Sequence, residues 1–232
     1  MKSKGWRLTF SLIVMFLVAA LVIVWMEPRE EPELEGANTV QLLPAAGDLR
    51  IYFPPLEGMT YYFAGEGMEY ASFTRKITFA DSGLLQIEDM SGTNLARVVE
   101  CGPDEVRVIW AEEEFYEEQS LFDADYREQR DYGSARNLIW LQAPLVPGHA
   151  WSDEMYHREI LATDEIVKVP LGTFFEVVTV KIRSIDADDF VTYEYYAKNI
   201  GLIKRVSLYV HDGETYAVSS SLRNMVGPRP TL

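Results

Sequence analysis

Carboxylates are the most crowded reactive groups in this chain. Glu112, Glu113, Glu114, Glu117 and Glu118, with Asp123 and Asp125, fall in one short stretch, and Asp186, Asp188 and Asp189 in another. Clustered carboxylates can hold a hard cation such as calcium, which takes several oxygens from one loop. They can also hydrolyse a glycan, when two of them face each other about 5 to 9.5 Å apart across a cleft. Neither stretch has the D-x-D-x-D-G order of a calcium loop, and the second reads as a hairpin tip. Solvated loops are therefore the expectation, and no metal or other cofactor is assigned. His149, His157 and His211 stand in separate segments, none with a second His or Cys at metal-ligand spacing. Gly65-Glu66-Gly67 lacks the Lys-Ser/Thr pair of a phosphate loop. Ser219-Ser220-Ser221 is not set in a Gly-x-Ser-x-Gly elbow. Cys101 is the only cysteine, with no His or Lys beside it, and reads as a buried structural thiol.

Aromatic residues are the better candidates. Tyr62, Tyr70, Phe73, Trp110, Trp140, Tyr193 and Tyr195 lie in strand-like segments that could line one concave surface. Amphipathic rings suit lipid, glycan or protein surfaces; ordinary core packing is the competing reading.

The elements that must position these residues are strands. From about residue 51, short runs of Tyr, Phe, Val, Ile and Thr alternate with Gly, Asp, Asn and Pro. The first set of expected strands is Thr60–Gly67, Tyr70–Ala80, Leu84–Met90, Leu95–Cys101 and Val106–Glu112. A second set follows at Leu138–Gln142, His157–Ala162, Ile166–Val169, Phe174–Ile185, Phe190–Lys198, Leu202–His211 and Thr215–Leu222. Links such as Asp81-Ser82-Gly83 and Asp212-Gly213 are too short for crossovers, so neighbours are antiparallel. Residues 113–136 read as a long charged loop with a helical turn or two. Alternation in Val177–Ile185 puts Val178, Val180 and Ile182 on one side and Lys181 and Arg183 on the other. Val191–Ala197 likewise divides Thr192, Glu194 and Tyr196 from Tyr193 and Tyr195. The expected fold is mainly β, a strongly curved antiparallel sheet forming a half-barrel or open barrel. Pro55-Leu56-Glu57-Gly58-Met59-Thr60-Tyr61 recurs, with one residue more, as Pro144-Leu145-Val146-Pro147-Gly148-His149-Ala150-Trp151. This suggests two meander halves, each begun by a turn that drops an aromatic into the core.

Leu8–Met26 is an uncharged, 19-residue apolar run. As a helix it spans roughly 28 Å, close to a bilayer's hydrocarbon core. Lys2, Lys4 and Arg7 precede it, and five glutamates follow within nine residues, at 27, 30, 31, 33 and 35. The positive-inside rule then gives a cytoplasmic stub at 1–7, an anchor at 8–26 and an extracytoplasmic remainder. Cleavage after Ala20 as a signal peptide is the alternative. Residues 27–50 read as an acidic, Pro-rich spacer, 51–224 as the β domain and 225–232 as a tail. With 36 acidic against 21 basic residues the chain carries −15. That balance argues against a nucleic-acid partner.

Taken together, four segments carry a resemblance. They are the Pro-Leu-x-x-Gly turn, Tyr61–Gly67, Val169-Pro170-Leu171-Gly172-Thr173-Phe174, and Tyr195-Tyr196-Ala197-Lys198-Asn199-Ile200-Gly201-Leu202 running on to Arg205. Over residues 50–222 this order resembles uncharacterised extracytoplasmic half-barrel proteins of Gram-positive bacteria. More broadly it is similar to curved sheets of the periplasmic lipoprotein-carrier kind. The resemblance implies fold and location and supplies no catalytic residue; the chain departs from many members in lacking a lipobox cysteine. The expected role is a membrane-anchored, non-catalytic domain binding an envelope lipid, glycan or protein. Two alternatives are a structural module of a cell-surface or sporulation complex, and a wall hydrolase using Glu112 and Glu114.

Overall fold

The computed structural model describes residues 47–187, 190–211 and 213–228. The apolar run Leu8–Met26, the Ala20 cleavage position, spacer residues 27–46, Asp188 and Asp189 lie outside the described residues. Among the described residues no helix is long and apolar enough to cross a membrane.

Twelve antiparallel strands form one sheet. The first six are β1 (Thr60–Glu66), β2 (Phe73–Asp81), β3 (Leu84–Ser91), β4 (Thr93–Cys101), β5 (Glu105–Glu113) and β6 (Gly133–Gln142). The second six are β7 (Ala150–Ser152), β8 (Tyr156–Val169), β9 (Gly172–Ser184), β10 (Phe190–Ala197), β11 (Gly201–His211) and β12 (Glu214–Val226). Each strand pairs with its neighbours in sequence except β6 and β7, and β1 pairs with β12, so β6 and β7 are the sheet edges. The two edges are joined through side chains. The Ile139 N–H donates to Asp153 Oδ2 at 3.0 Å, and Trp151 Nε1 donates to the Ile139 carbonyl at 2.8 Å. The result is a nearly closed barrel, wound further round than a half-barrel and nearer the open barrel, the other form expected.

The barrel consists of two six-stranded meanders, and the repeated turn shows this atom by atom. Leu56 N donates to Pro54 O (2.8 Å) and Met59 N to Leu56 O (3.0 Å); Val146 N donates to Pro144 O (2.9 Å) and His149 N to Val146 O (3.0 Å). Gly58 N reaches Ile77 O (2.7 Å) as Gly148 N reaches Ile160 O (2.8 Å). Both glycines are at positive φ, 79° and 86°, where a Cβ is strained. Pro54 therefore matches Pro144, and the copies align without the extra residue that the sequence suggested. Tyr61 and Trp151 follow and are both buried.

One end of the barrel is plugged. Asp48 caps a 3-10 turn, Leu49–Tyr52, by accepting from Arg50 N. This turn bridges two equivalent hairpins: Leu49 N donates to Pro103 O (2.8 Å), and Asn199 N to Ile51 O (2.7 Å). Leu49, Tyr52 and Phe53 are buried against Val99, Cys101, Val106, Val178, Val180 and Leu202. Asn199-Ile200 forms the turn between β10 and β11, and a bulge falls before it at Tyr195/Tyr196. Gly201 has positive φ, 97°. Cys101 is buried, and burial pushes its thiol up to about 12.

Candidate functional site

The interior beyond the plug is charged. Arg75 binds Asp89 through two 2.7 Å hydrogen bonds, and Arg97 adds a third at 2.8 Å. Across the barrel Arg205 Nε donates to Glu194 at 2.8 Å, and Tyr196 Oη donates to the other Glu194 oxygen at 2.5 Å. Arg158 pairs with Asp153, and both side chains are buried. Arg75 and Arg97 lie over the Trp140 ring, at 5.7 and 5.8 Å, and Arg205 lies over Phe73 at 5.9 Å. Burial alone would raise the Asp89 and Glu194 carboxyls. The facing guanidiniums hold both below the usual carboxylate range. Arg97 is lowered, by burial first and then by repulsion from Arg75 and Arg205. Such bidentate pairs fix geometry as well as neutralising charge. A small cavity of about 20 Å³ lies between this network and the plug, lined by Tyr61, Arg75, Ile87 and Leu202. The Tyr61 hydroxyl is buried there without a hydrogen-bond partner, and burial pushes it up to about 12. The space suits one water molecule, not a ligand.

The outer face differs between the two halves. Over β3–β5 it is covered by the chain's own residues 114–132, which include a short helix, α1 (Ala124–Glu128), capped by Asp123. Phe115 (1% exposed) and Leu121 (0%) seat against Ala96, Val98 and Trp110 in a second core. Polar contacts pin the cover. Leu121 N donates to Gln86 Oε1 (2.7 Å), Asn94 Nδ2 bonds the Phe115 carbonyl, and Arg130 pairs with buried Glu112 and with Glu117. Among the described residues the corresponding face of β9–β11 has no such cover, because only two residues, 212 and 213, link β11 to β12. A groove of about 490 Å³ runs there, lined by Lys181, Arg183, Phe190, Tyr193, Leu208 and Val210 among others.

The seven sequence candidates do not share a surface. Phe73 and Trp140 are inside the barrel against the arginines. Trp110 is 7% exposed beneath the cover, with Arg127 over its ring. Tyr70 is exposed in the β1–β2 link, and Tyr62 faces outward between buried Tyr61 and Phe63. Tyr193 and Tyr195 stand together on the bare face, half-buried, with Lys204 over Tyr195 at 5.8 Å. Sequence reasoning missed the inward charges. Arg75 and Arg158, each two residues before the isoleucine that meets a repeated turn, were the available signal. Glu112 is buried in its ion pair whereas Glu114 is exposed at positive φ, 54°, so the two do not present a carboxyl pair across a cleft. Among the described residues no three His, Cys, Asp or Glu side chains converge as metal ligands.

No family model and no curated protein matches the chain. Two solved structures resemble it at low identity. One, from Bacteroides fragilis, is described as exported with a YmcC-like fold; it is 15% identical, with 75% of this chain and 97% of that one covered and a TM-score of 0.46. The other, described as a lipoprotein of Parabacteroides distasonis, is 12% identical, with 75% and 98% covered and a TM-score of 0.33. A restriction to Gram-positive bacteria finds no support in either.

Proposed function

We propose that this chain is a non-catalytic binding domain, held outside a cell membrane by Leu8–Met26, which presents the bare outer face of β9–β12 to an envelope component. The observation that carries the reading is the groove beside Tyr193. An outer barrel face normally carries polar side chains in water, yet Val191, Tyr193, Tyr195, Val206 and Leu208 stand here half-buried and apolar or aromatic. Basic residues border them on a protein of charge −15. The interior, by contrast, is filled by its own plug and ion pairs, leaving about 20 Å³ in its small cavity. Photo-crosslinking in intact cells tests this. A benzophenone side chain in place of Tyr193 should capture an envelope component, and one in place of Tyr132, on the covered half, should not. Adducts formed only with cytosolic proteins, or equal yields at both positions, would sink the reading.

A further inference from the structure

The covered half of the barrel shows what kind of group an outer face of this fold accepts. Its cover, 114–132, is acidic, with Glu114, Glu117, Glu118, Asp123, Asp125, Glu128 and Asp131, yet it is seated by two apolar anchors, Phe115 and Leu121. The bare face differs in two ways that suit an occupant from elsewhere. Its outward side chains on the middle strand are large and aromatic, Tyr193 and Tyr195, where the covered face has Ala96 and Val98. It also carries Lys181, Arg183 and Lys204, none of which makes an ion pair among the described residues. Glu159 stands opposite Lys181 in register without pairing to it, Glu165 is held by the Thr179 hydroxyl beside Tyr195, and exposed Asp186 marks the turn at one end. Carboxylates would therefore settle toward Lys181 and Lys204 and away from that turn.

Resting on the reading of this face as the binding surface, we infer that its occupant is an acidic polypeptide segment with aromatic or leucine anchors, supplied by another envelope protein. Anchors enter the 490 Å³ groove beside Tyr193, Leu208 and Val210. The segment's carboxylates meet the three unpaired cations, which fix its position and speed its encounter.

The test uses the full chain in detergent and a fluorescent peptide with the sequence of Glu113–Tyr126. Saturable binding is expected, weakened about tenfold or more in Lys181→Glu/Arg183→Glu and unchanged in Lys76→Glu. The thermal midpoint of each variant checks folding, and Tyr193→Ala, which leaves the charges alone, should weaken binding too. Absence of saturable binding, or binding indifferent to Lys181→Glu/Arg183→Glu, overturns the inference. Dihexanoyl phosphatidylglycerol and a wall muropeptide are titrated alongside. If either binds through Lys181 and Arg183 while the peptide does not, the face remains a binding surface and the polypeptide partner is excluded. If none binds, both readings fall. Two further outcomes count against a separate partner. One is peptide binding that appears only when Glu27, Glu30, Glu31, Glu33 and Glu35 are changed to Gln, which makes the chain's own spacer the occupant. The other is self-association abolished by Lys181→Glu, which makes it a second copy.

Discussion

The two halves of this barrel begin alike and finish differently. Each starts with the same hydrogen-bonded turn, drops an aromatic inward, and points an arginine into the lumen two residues before the isoleucine that meets the turn. The first half then uses its β5–β6 link to cover its own outer face, whereas the second joins β11 to β12 through two residues and, among the described residues, leaves its face bare. The junctions differ too. β12 meets β1 through a backbone ladder, but β6 meets β7 through Trp151 and Asp153 side chains. A repeated framework thus separates what holds the barrel from what varies on it. The inward charges and the plug serve stability, and the outer faces carry the difference.

The largest effects should come from the shared inward charges. Asp153→Ala leaves Arg158 buried without a partner and frees the Ile139, Met155 and Tyr156 N–H groups. A loss of about 5 kcal/mol is expected, read by denaturant unfolding. Asp89→Ala, which strands Arg75 and Arg97 but leaves the seam intact, should cost about 3–5 kcal/mol. Equal costs would mean that the seam contributes nothing beyond the ion pair.

Next in size is the contrast between the outer faces. Phe115→Ala and Leu121→Ala remove fully buried anchors and should cost about 3–5 and 2–5 kcal/mol. Tyr193→Ala and Tyr195→Ala in the purified protein should each cost under about 1 kcal/mol. Similar losses on both faces would show that the bare face is packed by something in the same chain.

Acid should weaken both halves together. Asp89 and Glu194 have folded-state values below the usual carboxylate range, so the unfolded chain binds more protons. Their contribution is present above about pH 4 and declines as pH falls through the lowered values. The thermal midpoint should therefore hold between about pH 5 and 7 and drop below about pH 4. The decline should be shallower in Glu194→Gln, provided that variant folds.

The smallest effect separates the two turns. A Cβ on Gly148 has nothing within 4 Å, so Gly148→Ala meets only the strain of φ 86° and should cost about 1 kcal/mol. At Gly58 the Cβ would also meet Pro228 at 2.8 Å, and the cost should be larger.

Much of this architecture could be read in the chain. Alternation and turn dipeptides located most strands to within a few residues. Three did not conform. β6 begins at Gly133, five residues before the expected Leu138 and inside the stretch read as a charged loop. β7 has three residues, too few to show alternation, and β8 was divided in two because bulges between Ile160 and Val167 break its period. The faces were harder to read. Thr192, Glu194 and Tyr196 do share one side, but it is the lumen, because guanidiniums from β2, β4 and β11 meet there; polarity alone cannot show that a charge has a partner across a barrel. The second core escaped notice because Phe115 and Leu121 are lone apolar residues in an acidic stretch, with no period of their own. Of seven aromatic candidates only Tyr193 and Tyr195 share the bare face. Strand membership places a ring on a sheet, whereas only the register and the chain lying above decide whether it is covered.

Hydroxyl-radical footprinting tests the central contrast most directly, comparing the full chain in native envelope membranes with the same chain purified in detergent. Tyr193, Tyr195 and Leu208 should become several-fold less reactive in the membranes, while Tyr116 and Tyr132 on the covered half stay the same. Unchanged reactivity at Tyr193 and Tyr195, or protection confined to the covered half, would contradict the account.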